Sequence, residues 1–247
     1  MKDKSGRNIN YLRISVTDKC NFRCRYCMPD PVPDVEHEEI LRYEEILRIC
    51  EAAVRLGIRK FKITGGEPLV RKGCVDFMRR LKETDGVETV TLTTNGMFVK
   101  EHIDEFKHMG LDGINISLDT LDRKQFHRLT GTDGVDAVVD AVAACVSAGL
   151  KTKINSVLLS ETKSQILRLA HLAQEMPVDV RFIEVMPIGF GRFEKGPTED
   201  AVLQILQAEY PDLAYRRDVR GNGPAVYYGS SLLQGYIGFI AANTHRF

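Results

Sequence analysis

Three cysteines within eight residues, Cys20-Asn21-Phe22-Arg23-Cys24-Arg25-Tyr26-Cys27, form the group in this chain best suited to metal chemistry. Three and then two residues separate them, so one loop can wrap three sulfurs around one centre. Soft thiolates select iron–sulfur clusters, zinc or Cu(I). A closed zinc site takes four protein ligands, usually as two paired half-sites. No second Cys or Cys/His pair follows, and the nearest imidazole, His37, lies ten residues on in a proline- and acid-rich loop. A cubane held by three cysteines leaves one iron without a protein ligand, free to bind a substrate. On the loop alone, zinc or an ordinary closed site stays open.

A second group is Lys62-Ile63-Thr64-Gly65-Gly66-Glu67-Pro68. Paired glycines at the end of a strand let backbone N–H and C=O groups approach a ligand closely, and Glu67 beside them could accept from an ammonium group. The alternative is a tight turn before the next helix, a common use of Gly-Gly.

The elements that must position these groups alternate. Strands are predicted over 11–16, 60–64, 89–94, 113–118, 152–158 and 178–186. Helices are predicted over 43–56, 74–83, 100–109, 135–148, 163–175 and 199–209, with Thr198 as an N-cap. Repeated βα units imply parallel strands with right-handed crossovers. Leu12, Ile14 and Val16 alternate with Arg13 and Ser15; Ile114, Ile116 and Leu118 alternate with Asn115, Ser117 and Asp119. A parallel sheet covered by helices on both faces reads as nearly all apolar, so here one face must line a hydrated or ligand-filled lumen. That face offers the cations Arg13, Lys62 and Lys153 and the polar groups Ser15, Thr93, Asn95, Asn115 and Ser117, a set suited to a polar anion. Any one cation taken singly could be snorkelling at a strand end. Six units fall short of the eight of a closed barrel. The expected fold is therefore α/β, a partial open (βα)6 TIM-like barrel over 1–210, with 225–228 and 236–240 as strands of an added C-terminal sheet begun within 211–247.

At 247 residues the chain can bury a full core. Its 34 Lys and Arg balance 34 Asp and Glu, with no basic block to suggest nucleic acid. No apolar run is long enough to span a membrane. The polar N-terminus carries no secretory signal, so a cytoplasmic location is expected, where six cysteines stay reduced.

The three-cysteine loop followed by Gly-Gly-Glu-Pro resembles the radical S-adenosylmethionine superfamily. Within it, the stretches 12–20, 26–29, 92–96, 114–119 and 181–186 are similar to the GTP 3′,8-cyclase family of molybdenum-cofactor biosynthesis, and the resemblance runs in order from Asn10 to Phe247. It implies that Cys20, Cys24 and Cys27 ligate a [4Fe–4S] cluster whose open iron is chelated by S-adenosylmethionine. Tyr26, Gly65, Gly66, Glu67, Ser117 and Met186 would hold that cofactor, and Arg13, Lys62, Thr93 and Lys153 would bind GTP. Lys62 stands where the family usually has Arg, keeping the charge without the bidentate fork. A 5′-deoxyadenosyl radical would take hydrogen from C3′ of GTP, and the carbon radical would add to C8; no acid or base is assigned to that step. The implied partners are a one-electron donor such as flavodoxin or ferredoxin and the next enzyme of molybdopterin-precursor synthesis.

The family's second [4Fe–4S] cluster has no ligand set here. Cys50 and Cys145 lie on apolar helix faces and Cys74 stands alone at a helix start. The final segment, 238–247, is where the family continues into its second cysteine motif, so a fragment or a truncated reading frame is expected, with S-adenosylmethionine cleavage retained and GTP cyclisation weak or lost. The resemblance leaves two other readings: another radical maturase of this architecture, or a non-catalytic iron–sulfur or nucleotide-binding remnant. A loop over 28–41 containing Pro29, Pro31 and Pro33 is expected to lie as a stiff cover near the cluster.

Overall fold

The computed structural model describes residues 4, 6, 8–28, 30, 35–217 and 223–241. The three loop prolines and the last six residues of the chain lie outside them, as does the side chain of His37.

Six parallel strands form the frame: β1 (Tyr11–Ser15), β2 (Lys60–Thr64), β3 (Thr89–Thr94), β4 (Gly113–Ser117), β5 (Thr152–Leu158) and β6 (Asp179–Glu184). They pair in chain order, each with its successor. Beyond β6 the same sheet continues. β9 (Ile237–Ile240) pairs with β6 in parallel, and β8 (Val226–Gly229) and β7 (Ala214–Arg216) follow antiparallel. The order β1-β2-β3-β4-β5-β6-β9-β8-β7 leaves β1 and β7 as edges, so the barrel is open. The predicted late strands thus prolong the barrel sheet itself.

One face of the sheet is the core. Phe61, Ile63, Val90, Leu92, Ile116, Ile154, Val180 and Ile237 are fully buried, together with the helix residues Phe77, Met78, Leu81, Val138, Ala141 and Leu206. The apolar members of each alternating strand face the helices, and burying each such side chain is worth about 1.5–3 kcal/mol. The intervening polar residues face the lumen.

The helices are α1 (Tyr43–Arg55), α2 (Cys74–Glu83), α3 (Ile103–His108), α4 (Arg123–Thr130), α5 (Val135–Ser147), α6 (Ile166–Glu175) and α7 (Glu199–Glu209). Two differ from expectation at their starts: 3-10 turns at Val99–His102 and Ser160–Gln165 precede shorter α-helices. α4 is absent from the pattern reading because only Phe126 and Leu129 in its eight residues are large and apolar. Its signature was present in Asp122 followed three residues later by Gln125, and Asp122 accepts from the Gln125 amide at 2.7 Å. Thr198 caps α7 as predicted, accepting from Ala201 N at 3.4 Å.

Removal of either cap should cost about 1 kcal/mol. Thermal unfolding of Asp122→Ala and of Thr198→Ala is expected to show midpoints lowered by about 2–4 °C; wild-type midpoints would mean that the caps add nothing in this context.

Candidate active site

The cysteine loop is fixed first by β2. Val16 N extends the β1–β2 ladder to Thr64 O at 2.8 Å, and the turn after β2 continues it with Gly66 N to Thr17 O at 2.7 Å and Glu67 N to Lys19 O at 2.9 Å. A Cβ on Gly65 would stand 2.5 Å from Thr17 O, and one on Gly66 would stand 2.4 Å from Lys19 O and 2.7 Å from Asp18 O. Only glycine allows this contact. The close approach read from the sequence is therefore made here to the cysteine loop's own carbonyls. Glu67, 1% exposed, accepts from Leu69 N (3.0 Å), Thr94 Oγ1 (2.8 Å) and Asn95 N (2.6 Å). Burial raises its pKa and those donors oppose the rise. Both oxygens take protein donors, which makes Glu67 a brace between the β2 and β3 exits.

The far side of the loop rests on α4. Phe22 packs edge-on against Phe126 with ring centroids 5.6 Å apart. Arg23 N donates to Thr130 O at 2.7 Å and Arg25 N to Leu129 O at 3.2 Å. Cys27 N and Met28 N both donate to Cys24 O, at 2.9 and 2.8 Å, closing the tight turn between the last two cysteines. Cys20 Sγ accepts from Phe22 N at 3.4 Å, and Asn95 Nδ2 lies 4.0 Å from it. Asn95, expected in the lumen, instead points to this loop and donates to Asn21 Oδ1 at 2.7 Å.

Two side chains carry the loop across the barrel mouth. Arg25 grips Glu194, after β6, through a fork of 3.0 and 3.1 Å, and Glu161, after β5, at 2.5 Å. Tyr26 donates to Asp119 Oδ2 at 2.6 Å, while Asp119 Oδ1 accepts from Val157 N at 2.7 Å. Burial moves the Asp119 carboxyl up to about 6 against those two donors, and burial with the neighbouring Asp119 charge holds the Tyr26 phenol well above its ordinary range.

All three loop cysteines are free thiols. Burial raises the pKa of each; Cys24 is raised further by Asp119, Cys27 and Cys20, and Cys27 by Cys20 and Asp119. Bound iron would reverse that preference, since a coordinating thiol is deprotonated outright. Among the described residues, no three His, Cys, Asp or Glu side chains converge as they would around a single ion. A cubane takes one thiolate per iron. Three free thiols on one tight loop, with an amide donating to Cys20 sulfur, fit that group.

Below the loop lies the lumen. Arg13 sits beside Lys62 in register, and Thr93, Asn115, Lys153 and Asp179 form a second row. Arg13 Nη2 reaches Thr64 Oγ1 at 3.5 Å, and Asn115 Nδ2 donates to Leu92 O at 3.1 Å, with Thr93 Oγ1 at 3.4 Å. Lys153 pairs with Asp179 at 2.9 Å, donates to Tyr227 Oη at 3.0 Å and lies 4.8 Å from that ring's centre. Arg181, 7% exposed, donates to Asn115 Oδ1 at 2.6 Å. Its Nε–H and the neighbouring Asn155 Oδ1 are buried without a hydrogen-bond partner among the described residues. Burial first, then Arg181, Arg13 and Lys153, depress Lys62 from its ordinary 10.5 to about 8. Ser117 ends β4 on this face, beside Asn155. Met186, half exposed, follows β6 next to a cavity of about 310 Å³ lined by Glu184, Val185, Glu194 and Thr198.

The structure thus brings the three cysteines, Tyr26 and the Gly65–Glu67 turn to one mouth, and Arg13, Lys62, Thr93 and Lys153 to one lumen. Sequence reading missed Arg181 and Asp179 as lumen residues, although both alternate with Val180 and Phe182. It also missed Tyr227, Asp119 and Arg25, whose partners lie far along the chain.

Comparison with known proteins gives three results. The profile of the Radical SAM superfamily matches residues 14–173. The chain is 43% identical over 249 residues to a GTP 3′,8-cyclase of Clostridium perfringens (strain 13 / Type A), covering 100% of this chain and 77% of that protein. It is 41% identical over 256 residues to a GTP 3′,8-cyclase of Heliobacterium modesticaldum, again over 100% and 77%. Among solved structures, Streptococcus suis SuiB bound to S-adenosylmethionine superposes with a TM-score of 0.66 at 21% identity, over 81% of this chain and 46% of that one. Methylornithine synthase superposes at 0.63 and 18% identity, over 80% and 61%. These structures share the fold.

Two outcomes follow from the geometry. Gly66→Ala should destabilise the chain by roughly 1–3 kcal/mol, as overpacking does, and lower the iron retained after anaerobic reconstitution; an unchanged midpoint and iron content would mean the carbonyls move aside freely. Lys62 is costly to keep charged in the fold, so its contribution to stability rises with pH between about 8 and 10.5. For the same reason, binding of tripolyphosphate to the lumen should weaken as pH rises through 8. Lys62→Arg, which cannot deprotonate, should flatten that profile in calorimetric titrations; equal slopes for both proteins would exclude Lys62 as the titrating group.

Proposed function

We propose, from the premise that this chain belongs to the Radical SAM superfamily and within it to the family of GTP 3′,8-cyclases, that it converts GTP to (8S)-3′,8-cyclo-7,8-dihydroguanosine 5′-triphosphate in molybdenum-cofactor biosynthesis. The observation that carries the substrate is the lumen itself. Arg13, Lys62, Lys153 and Arg181 gather beneath the cysteine loop, and a buried Arg181 N–H and Asn155 oxygen, unpartnered among the described residues, stand with them. A triphosphate satisfies that excess of positive charge through charge-assisted hydrogen bonds.

Cys20, Cys24 and Cys27 would hold a [4Fe–4S] cluster that works together with S-adenosylmethionine. When bound, this pair supplies reductive cleavage of the sulfonium and a carbon radical that removes hydrogen from C3′ of GTP. The chain's own residues do the rest. Tyr26, Gly65, Gly66, Ser117 and Met186 place S-adenosylmethionine, and Glu67 does so through the turn it braces. The contact of Gly65 and Gly66 with the loop supports this, because it sets their turn beside the cluster ligands. Arg13, Lys62, Thr93 and Lys153 hold GTP, joined by Arg181. Asp179 and Tyr227 hold the Lys153 side chain in place on the lumen face.

No helix among the described residues is long and apolar enough to cross a membrane. We take the enzyme as cytoplasmic, receiving its electron from a flavodoxin- or ferredoxin-type donor and passing its product to the next enzyme of molybdopterin-precursor synthesis. The family's second [4Fe–4S] cluster would need ligands other than Cys50, Cys74 and Cys145, which are buried in the described structure.

Anaerobically reconstituted protein with dithionite and S-adenosylmethionine should form 5′-deoxyadenosine, and Cys24→Ala should form none. Lys153→Ala should weaken GTP binding by roughly 10- to 100-fold, the worth of a hydrogen bond to a charged group, while 5′-deoxyadenosine formation without GTP persists. Wild-type affinity for GTP in Lys153→Ala would remove the lumen from the reading.

A further inference from the structure

Arg71 is absorbed by none of these roles, and its contacts are unusual for a surface turn. It closes the segment that begins with Gly65 and Gly66. Its Nη1 donates to Val16 O and its Nη2 to Leu41 O, both at 2.6 Å. Val16 is the first residue after β1, where the cysteine loop begins, and Leu41 lies two residues before α1. One planar group therefore joins the two ends of the connection that carries Cys20, Cys24 and Cys27. The guanidinium has its own seat: it lies 4.2 Å from the centre of the Tyr43 ring, an attractive cation–π arrangement. That ring is stacked on Phe77 of α2 at 4.8 Å and 17°. Tyr43 Oη donates back to Arg71 O at 3.4 Å. The fork is thus aimed by the packing of α1 on α2, not by the loop it holds.

From this juxtaposition we propose that Arg71 is a positioning residue for the cluster: its two nitrogens fix the span between Val16 and Leu41, and with it the placement of the three thiols. Three cysteines on one loop keep a multi-iron centre only while the loop's ends stay put, because each sulfur must meet a different iron. The glycine contacts hold the loop at Thr17 and Lys19, near its start. α4, Glu161, Glu194 and Asp119 hold it at residues 23–26, and Arg71 adds a tie from Val16 to Leu41, beyond the last cysteine. A lysine supplies one point charge and cannot reach two carbonyls in fixed fork geometry, so the role belongs to arginine.

The inference rests on the cluster reading above, and the experiment separates the two. Wild type, Arg71→Lys, Arg71→Ala and Tyr43→Phe are reconstituted anaerobically as the full chain. Iron and sulfide per chain, the rate of iron loss to a chelator and the unfolding midpoint of the iron-free protein are measured. Arg71→Lys and Arg71→Ala should both lose iron about tenfold faster than wild type, the worth of one or two net hydrogen bonds, with iron-free midpoints within a few degrees of wild type. Millimolar guanidinium should slow the loss from Arg71→Ala only, and Tyr43→Phe, which keeps the ring seat, should behave as wild type. Wild-type retention by Arg71→Lys overturns the fork. Faster loss matched by collapse of the iron-free midpoint reduces Arg71 to a folding residue and also overturns it. Failure of the wild type itself to take up iron overturns the cluster reading and this inference with it.

Discussion

Between the turn after β2 and the loop after β1 there is no room for a side chain. Carbonyls of Thr17, Asp18 and Lys19 lie where the Cβ atoms of Gly65 and Gly66 would be, and the amides of Gly66 and Glu67 complete the contact. Much of the mouth is laid out from this clasp. It brings the first cysteine to the end of the sheet, sets Glu67 where it can tie β2 to β3 through Thr94 and Asn95, and lets Asn95 reach back to Asn21. Hydrogen bonds of this kind are worth about 1 kcal/mol each net, and more when a carboxylate accepts. Their value here lies in mutual geometry, since each fixes an atom that another one uses.

The loop is then drawn over the barrel by unlike means. Backbone amides meet the end of α4, an aromatic edge meets Phe126, and Arg25 and Tyr26 reach the exits of β4, β5 and β6. The exits of strands β2 to β6 thus converge on ten residues of sequence, Thr17 to Tyr26. The lumen is built on a different principle: strand alternation alone places its cations, and Asp179, Tyr227 and Asn115 hold two of them in place. Gly238 has a part in this, because a Cβ there would lie 2.8 Å from Arg181 Cγ and 2.9 Å from Tyr227 Cε1.

Much of this arrangement is legible without coordinates, and the reasons differ by residue. The period-two alternation in 11–16 and 113–118 fixes which side chains face inward, so Arg13, Lys62, Thr93, Asn115 and Lys153 fall on the lumen face from pattern alone. The same rule extended to 179–184 yields Asp179 and Arg181. The cysteines and paired glycines announce their chemistry by type and spacing. What the glycines touch is not legible, because it depends on how two distant loops approach. α4 escapes because its face packs little apolar surface, leaving only the Asp122 cap as a signal. Arg71 and Arg25 look like any surface arginines until the carbonyls and carboxylates that meet them are in place.

The pairing of β9 with β6 bears on how the chain reaches this state. β6 receives its second neighbour from residues 237–240, more than fifty positions later in the sequence. Until that segment emerges from the ribosome, a nascent chain with β1 to β6 already paired presents a bare parallel edge, the kind of surface that recruits foreign strands. The intervening α7 is made in time to lie near that edge, through its packing on α6 and the tie from Glu184 to Glu199 N. Synthesis order thus gives β9 a protective duty toward the barrel edge, separate from anything this segment contributes to the lumen.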